Sequence, residues 1–201
     1  MNFLAHALLA APGEDEMFGS LVPDFHPRGA IDAALPRGVR NGLALHRAVD
    51  VYTDAHPDVR AARALFEPPL RRYAGIVLDI WFDHLLARDF EAHSPFALQT
   101  FSRRVQALLL AREAELPPRM DAFARYMRRN ELPEAYRDSA TIERVLQGVA
   151  GRVSRANPIA AAMPELEARR QPLQERFERF FPQLAAFARD ELARLDRIDR
   201  A

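Results

Sequence analysis

The sequence predicts an all-α fold, arranged as a single-domain helical bundle over residues 1–201. Good helix formers (Ala, Leu, Arg and Glu) dominate most segments, and no run of alternating β-branched residues is bounded by turn signals. Prolines fall in clusters, such as Pro68-Pro69 and Pro117-Pro118, that separate helix-length segments. A chain of 201 residues is also long enough to bury one sizeable hydrophobic core.

The positions of these prolines predict the approximate bounds of the helices. They are 2–10, 37–53, 57–66, 70–91, 96–114, 118–130, 134–150 and 164–199, and Pro182 is expected to divide the last of them. The stretch 12–35 is rich in glycine and proline and is predicted to be irregular. Loops of this kind often carry binding and catalytic groups.

The composition excludes several functional classes. The chain has no cysteine, which excludes disulfides, thiolate metal sites and cysteine nucleophiles. All 28 basic residues are arginine, so lysine-dependent P-loop, Schiff-base and kinase chemistry is excluded as well. The formal net charge is zero, which argues against a nucleic-acid binder. No apolar run reaches the roughly 20 residues of a membrane helix, and the first residues do not resemble a signal peptide. We therefore expect a cytoplasmic protein that does not bind membranes.

One predicted helix segment, 74–86, is apolar on every face except for Asp79, Asp83 and His84. A helix with this pattern is buried. Asp79 and Asp83 are four residues apart and project from the same side, whereas His84 lies about 100° further round. Two buried carboxylates must be compensated by arginines or by a metal cation. The segment alone is compatible with either an Arg-Asp network that stabilises the bundle or a metal site.

A second polar pair, His46 and Asp50, interrupts the apolar face of helix 37–53 on the side of Leu43. Both members of such a pair can ligate one ion, or Asp50 can orient the His46 ring or act as a base. Arg47 next to His46, and Asp54 beyond Thr53, extend this polar edge. His46 alone is more typical of a satisfied core histidine, but the recurrence of the pattern on two helices favours a metal site.

His6, in a short apolar helix, and Asp24, in the irregular region, complete the candidates. The predicted metal ligands are His6, Asp24, His46, Asp79, Asp83 and His84, and the predicted catalytic residues are Arg47 and Asp50. This set of nitrogen and oxygen donors suits Mn²⁺, Fe²⁺, Mg²⁺ or Zn²⁺, and its carboxylates favour the harder ions. Such an ion polarises a phosphoryl oxygen and activates a bound water. The pattern therefore predicts a hydrolytic metal site.

Four motifs carry a family resemblance: Met1-Asn2-Phe3-Leu4-Ala5-His6, Gly19 through Asp24-Phe25, His46-Arg47-x-x-Asp50-x-x-Thr53-Asp54, and Leu78-Asp79-x-x-x-Asp83-His84. Together they resemble the acyl carrier protein phosphodiesterases, or ACP hydrolases, distant relatives of the HD-domain phosphohydrolases. The resemblance implies an HD-phosphohydrolase-like helical fold. It also implies a metal-dependent, usually Mn²⁺-dependent, hydrolysis of holo-acyl carrier protein to the apo protein and 4′-phosphopantetheine. The wider superfamily is defined by an adjacent His-Asp pair, whereas this chain has Asp83-His84 in the reverse order.

Acyl carrier proteins are strongly acidic, so the implied substrate favours a basic docking surface. The candidate surface lies within 119–129, where Arg125, Arg128 and Arg129 cluster, and Arg103-Arg104 is a second option. A solvated helix face accounts for the same arginines. Two other functions stay open: an HD-like phosphohydrolase of a small phosphoester or nucleotide, and a non-enzymatic helical interaction module whose Asp and His residues pair with Arg.

Overall fold

The computed structural model describes residues 2–25 and 34–198, and within those ranges the chain is helical without a β-strand. The prediction of an all-α fold is confirmed. In chain order the α-helices are α1 (Phe3–Ala10), α2 (Glu14–Leu21), α3 (Arg37–Ala55), α4 (Pro57–Arg63), α5 (Ala74–Arg88), α6 (Phe90–His93), α7 (Leu98–Ala111), α8 (Pro118–Arg129), α9 (Ser139–Ala150), α10 (Met163–Ala168) and α11 (Arg170–Ile198). None of the helices in the described ranges is long and apolar enough to cross a membrane.

Helix α5 lies in the hydrophobic core, as its apolar composition predicts. The side chains of Leu78, Trp81, Phe82 and Leu86 are each at most 1% exposed. Burial of a side chain of this kind contributes roughly 1.5–3 kcal/mol. Since α5 packs against α1, α4, α9 and α11, this buried helix sets the positions of the elements that surround the candidate site.

Helix α2 was not expected, because it lies within the segment 12–35 that the glycines and prolines mark as irregular. Acidic residues fill its first turn, where they interact favourably with the positive end of the helix dipole. Its buried side chains include Met17, Phe18 and Leu21. Packing of these side chains stabilises a short helix that its flanking residues do not reveal.

Helix α11 continues through Pro182, so the expected division at this proline is wrong. A proline in a helix interior costs about 3 kcal/mol or more. The neighbouring side chains of Phe180, Phe181 and Leu184 are each at most 1% exposed. Burial of these three large side chains on the inner face of α11 outweighs the local cost.

The other predicted boundaries differ by a few residues or by a short turn. The segment predicted as one helix over 70–91 is a 3-10 turn, Leu70–Tyr73, followed by α5 and α6. The segment predicted over 134–150 begins with a 3-10 turn, Glu134–Arg137, before α9. The positions of the prolines locate the helical segments well, but they do not show where a 3-10 turn replaces the α-helix at its ends.

Candidate metal centre

Three polar side chains from two helices meet in one cluster: His6 of α1, and His46 and Asp50 of α3. His6 Nε2 lies 3.2 Å from Asp50 Oδ1, and His46 Nε2 lies 3.2 Å from Asp50 Oδ2. The two imidazole rings are stacked, with centroids 3.9 Å apart and planes 14° from parallel. One ligand atom from each residue lies within 4.8 Å of the others, so the three could hold a metal ion.

The orientation of His46 is fixed by the backbone of α2. His46 Nδ1 lies 2.8 Å from the carbonyl oxygen of Ser20. Because a carbonyl oxygen only accepts, Nδ1 carries the proton and donates it, which leaves Nε2 facing Asp50. In a neutral ring the Nε2 lone pair would then point at a carboxylate oxygen. A further proton or a cation between the two groups relieves this contact, and metal-binding histidines are commonly oriented by such a carbonyl.

Ser20 reaches His46 because α2 and α3 pack very closely at two glycines. A Cβ on Gly42 would lie 2.1 Å from the carbonyl oxygen of Glu16, and a Cβ on Gly19 would lie 2.1 Å from that of Val39. Neither position has room for a side chain. The Ser20 hydroxyl also donates to the carbonyl oxygen of His6 at 3.1 Å. Helix α2 therefore positions both helices that carry the histidines.

The His6 ring is buried, with 2% of the residue exposed. Burial lowers the pKa of His6 to about 4, and the nearby Asp50 carboxylate, which acts in the opposite direction, does not offset this effect. Within the described part of the chain, Nδ1 of His6 has no hydrogen-bond partner, and Nε2 contacts only the Asp50 carboxylate. An unpaired buried polar atom costs about 1–3 kcal/mol. His6 is thus a neutral imidazole whose environment suits a metal ligand.

Asp50 is the exposed member of the cluster, with 45% of its side chain accessible. Partial burial alone would raise the pKa of Asp50, but contacts with His46 and His6 outweigh burial and hold the pKa well below its usual range. The carboxylate is therefore ionised at neutral pH. Imidazole nitrogens and a carboxylate oxygen are donors that divalent transition metals accept.

Asp50 opens into a cleft of about 300 Å³, which Asp79 of α5 also lines. Burial, together with the charge of Asp50, raises the pKa of Asp79. The other lining residues are Asn2, Asp54, Ile76, Ile80 and Val149. Three carboxyl groups on one cleft give it an acidic character that favours a cation. We call this space the acidic cleft.

Asp83 makes contacts other than those predicted for it. Its carboxylate accepts hydrogen bonds from the backbone N–H of Leu4 at 2.7 Å and of Ala5 at 3.2 Å. These N–H groups lie in the first turn of α1, where the helix supplies no partner, and the side chain of Asn2 makes no cap. Burial raises the pKa of Asp83 to about 7, although the two N–H groups favour the charged form. Asp83 therefore caps the helix that carries His6.

His84 also has other contacts. Its Nδ1 lies 2.7 Å from the carbonyl oxygen of Tyr136, and its ring packs against Trp81 with the centroids 4.7 Å apart. Burial lowers the pKa of His84. The rotation of about 100° between Asp83 and His84 turns this imidazole towards Tyr136.

The two remaining predicted residues are Arg47 and Asp24. Arg47 is exposed on α3 directly after His46. The backbone of Asp24 belongs to the 3-10 turn Pro23–Phe25, but its side chain lies outside the described residues. The sequence did not single out Ser20 as a positioning group, since the contact that matters is made by its backbone carbonyl, which no residue-type pattern shows.

The comparisons with known proteins agree with the motifs. The family model described as acyl carrier protein phosphodiesterase matches residues 1–184. Relatives named acyl carrier protein phosphodiesterase from Salmonella agona (strain SL483), Salmonella newport (strain SL254) and Salmonella gallinarum are each 38% identical over 189 residues, covering 94% of this chain and 97% of the relative. No solved structure matches the chain. Since the family model matches residues 1–184 and these relatives are 38% identical over 94% of the chain, this chain belongs to the acyl carrier protein phosphodiesterase family.

Proposed function

We propose that this protein hydrolyses holo-acyl carrier protein to the apo protein and 4′-phosphopantetheine, at a divalent metal ion held by His6, His46 and Asp50. The observation that carries the proposal is the His6-Asp50-His46 cluster at the acidic cleft. It occurs in a chain that is similar over nearly its full length to proteins named for this activity. In the reaction, water attacks phosphorus, the bond from phosphorus to the serine oxygen breaks, and the serine takes a proton.

The donor set supports a metal ion of intermediate hardness. Two imidazole nitrogens and a carboxylate, with Asp79 on the same cleft as a fourth ligand, favour Mn²⁺; Mg²⁺, Fe²⁺ and Zn²⁺ accept the same donors. Such an ion, when bound, polarises a phosphoryl oxygen and lowers the pKa of a bound water. We leave Asp83 and His84 out of the ligand set because Asp83 accepts two hydrogen bonds from α1 and the His84 ring is held at Tyr136, outside the group formed by His6, His46 and Asp50.

The chain's own residues supply positioning and charge. The hydrogen bond from His46 Nδ1 to the Ser20 carbonyl holds Nε2 towards the centre, and the Asp83 cap holds the first turn of α1 in front of His6. Arg47, exposed beside His46, is the cation that could offset charge on the phosphoryl oxygens. Groups fixed before the substrate arrives need no reorganisation during the reaction.

The direct test uses the full chain and purified holo-acyl carrier protein. The rate of apo-protein formation is measured by mass spectrometry. We expect removal of metal by chelation and desalting to lower this rate by about 100-fold or more, and added Mn²⁺ to restore it. Mn²⁺ should also raise the melting temperature of the chelated protein, because the ion binds only the folded chain. A rate that survives metal removal would contradict the metal assignment. Hydrolysis of small phosphoesters alone would favour a small-molecule phosphohydrolase, and a protein with neither activity nor a response to Mn²⁺ would be an interaction module.

We further propose that the acidic carrier protein docks on the arginines of α8. Arg125, Arg128 and Arg129 are exposed. Arg125 forms a salt bridge of 2.6 Å with Asp121, so Arg128 and Arg129 offer the more available charge. In the second candidate pair, Arg104 already donates a hydrogen bond to the carbonyl oxygen of Pro12. The α8 surface is therefore the better choice for electrostatic complementarity.

The double variant Arg128→Glu/Arg129→Glu should raise the KM for holo-acyl carrier protein about tenfold and weaken the dependence of kcat/KM on salt, because exposed charges act mainly on encounter. The kcat should stay within about twofold. The matched control is Arg189→Glu/Arg197→Glu, which makes the same charge change at exposed positions of α11. Equal effects of the two double variants, or none from the first, would place docking elsewhere.

A further inference from the structure

A second cavity, of about 560 Å³, adjoins the acidic cleft and has a different chemistry. Its apolar and aromatic lining consists of Phe3, Phe25, Ala122, Phe123, Tyr126, Leu132, Tyr136, Val145, Gly148 and Val149. Asn2 and Val149 line both this groove and the acidic cleft. The two spaces therefore share a wall next to the first turn of α1. We call the larger space the aromatic groove.

The wall of the aromatic groove is built on α8. Arg119, Ala122, Phe123 and Tyr126 are spaced i, i+3, i+4 and i+7, so they form one stripe along the helix. The Phe123 ring contacts the Phe3 ring, with the centroids 5.4 Å apart, and also lies against a ring from the 3-10 turn Pro23–Phe25. Aromatic rings that pack on each other and still line a groove provide a preformed apolar surface.

Arginines are the charged side chains that line the aromatic groove in the described part of the chain. They are Arg119, Arg144 and Arg152. Arg144 donates one hydrogen bond to the Thr141 hydroxyl, and Arg152 donates one to the carbonyl oxygen of Gly148. A guanidinium has five N–H donors, so each has others for carbonyl or anionic oxygens of a ligand.

We propose that the aromatic groove binds the pantetheine arm of the carrier protein while its phosphodiester lies in the acidic cleft. This inference rests on the proposed function. The arm continues from the phosphate as a flexible, uncharged chain of methyl and methylene groups with a hydroxyl, two amides and a terminal thiol, so its chemistry changes from anionic to neutral and largely apolar along its length. The lining changes in the same order across Asn2 and Val149. Arginine N–H groups match the amide oxygens, and the volume is typical of small-molecule sites.

Gly148, within α9, and Gly151, directly after the end of α9, provide a matched test. A Cβ on Gly148, which lines the groove, would meet only Arg152 Nη2 at 3.8 Å, an ordinary van der Waals contact with the end of a flexible side chain. Gly151, one turn later, is exposed, does not line the groove and has equally open surroundings. Gly148→Trp narrows the groove, whereas Gly151→Trp adds the same side chain outside it. Tyr126→Ala, at a residue 39% exposed, removes part of the wall that α8 provides.

The Kd of 4′-phosphopantetheine is measured by calorimetry on the full chain in the presence of Mn²⁺. The Kd of inorganic phosphate, measured in the same way, reports on the acidic cleft alone. We expect Gly148→Trp to weaken 4′-phosphopantetheine binding about tenfold or more, and Tyr126→Ala about threefold. Gly151→Trp should change it by less than about twofold. The Kd of phosphate should be the same in all four proteins, because the cleft is unchanged.

The proposal is overturned if Gly148→Trp and Tyr126→Ala both bind 4′-phosphopantetheine as the wild type does, or if Gly151→Trp weakens binding as much as Gly148→Trp. It is also overturned if the wild type binds 4′-phosphopantetheine no more tightly than phosphate. Failure of the proposed function is a separate result, namely no conversion of holo- to apo-carrier protein by the wild-type chain. A groove that fails this test leaves that conversion intact.

Discussion

Asp50→Ala should lower apo-protein formation by about 10³-fold and abolish the thermal stabilisation by Mn²⁺. Asp50 is the anionic member of the cluster and contacts both histidines at 3.2 Å. Without it, the two neutral imidazoles would keep only Asp79, on the same cleft, as a further ligand for a divalent ion. The global fold should be little affected, because 45% of the Asp50 side chain is exposed. The measurements are initial rates by mass spectrometry and melting curves with and without Mn²⁺.

The control for this prediction is Asp190→Ala, the same change at an exposed position of α11. It should leave rate and melting temperature unchanged, since isolated surface substitutions shift stability by no more than about 0.5 kcal/mol. His46→Ala should reproduce the loss caused by Asp50→Ala, since its Nε2 is part of the same donor set. Full activity in folded Asp50→Ala and His46→Ala proteins would show that the reaction takes place elsewhere.

The features that the sequence predicts well are those that depend on short periodicity. The burial of α5 follows from its composition and is seen in Trp81 and Phe82. The register of His46 and Asp50 follows from their spacing of four residues, and both side chains enter the same cluster. His6 is predicted as the only ionisable side chain of a short apolar helix, but no spacing rule connects it with His46 and Asp50. Local rules thus give the candidate residues but not which of them meet.

The features that the sequence does not predict depend on contacts between distant segments. Asp79 and Asp83 share one side of α5, yet Asp79 lines the acidic cleft and Asp83 meets the first turn of α1. One helical turn of about 5.4 Å separates these environments. Helix α2 is not predicted either, because it is stabilised by contacts with distant segments. This helix brings the Ser20 carbonyl to His46. The helix pattern alone cannot show which buried carboxylate lines the acidic cleft and which caps another helix.

Asp83→Ala should lower the free energy of unfolding by about 2–4 kcal/mol, which corresponds to a fall of roughly 4–16 °C in melting temperature for a chain of this size. The substitution leaves the N–H groups of Leu4 and Ala5 unpaired, and both residues are 0% exposed. Activity should fall as well, because the first turn of α1 positions His6. Differential scanning calorimetry of the metal-free protein gives the stability, and the holo-carrier assay gives the activity.

Asp83→Asn distinguishes a helix cap from a metal ligand. The amide keeps one acceptor oxygen, so the metal-free protein should have a stability between those of the wild type and Asp83→Ala. Burial raises the pKa of Asp83 from 3.8 to about 7, so between these values the folded wild type binds more protons than the unfolded chain and loses stability as pH rises. The amide does not titrate, and the stability difference between wild type and Asp83→Asn should therefore shift in favour of the variant from about pH 5 to about pH 8.

If Asp83 were instead a metal ligand, the opposite pattern is expected: Asp83→Asn would lose the response to Mn²⁺ while the metal-free protein stayed as stable as the wild type. Retention of the Mn²⁺ response together with a loss of metal-free stability identifies Asp83 as the residue that holds α1, and with it His6, in place.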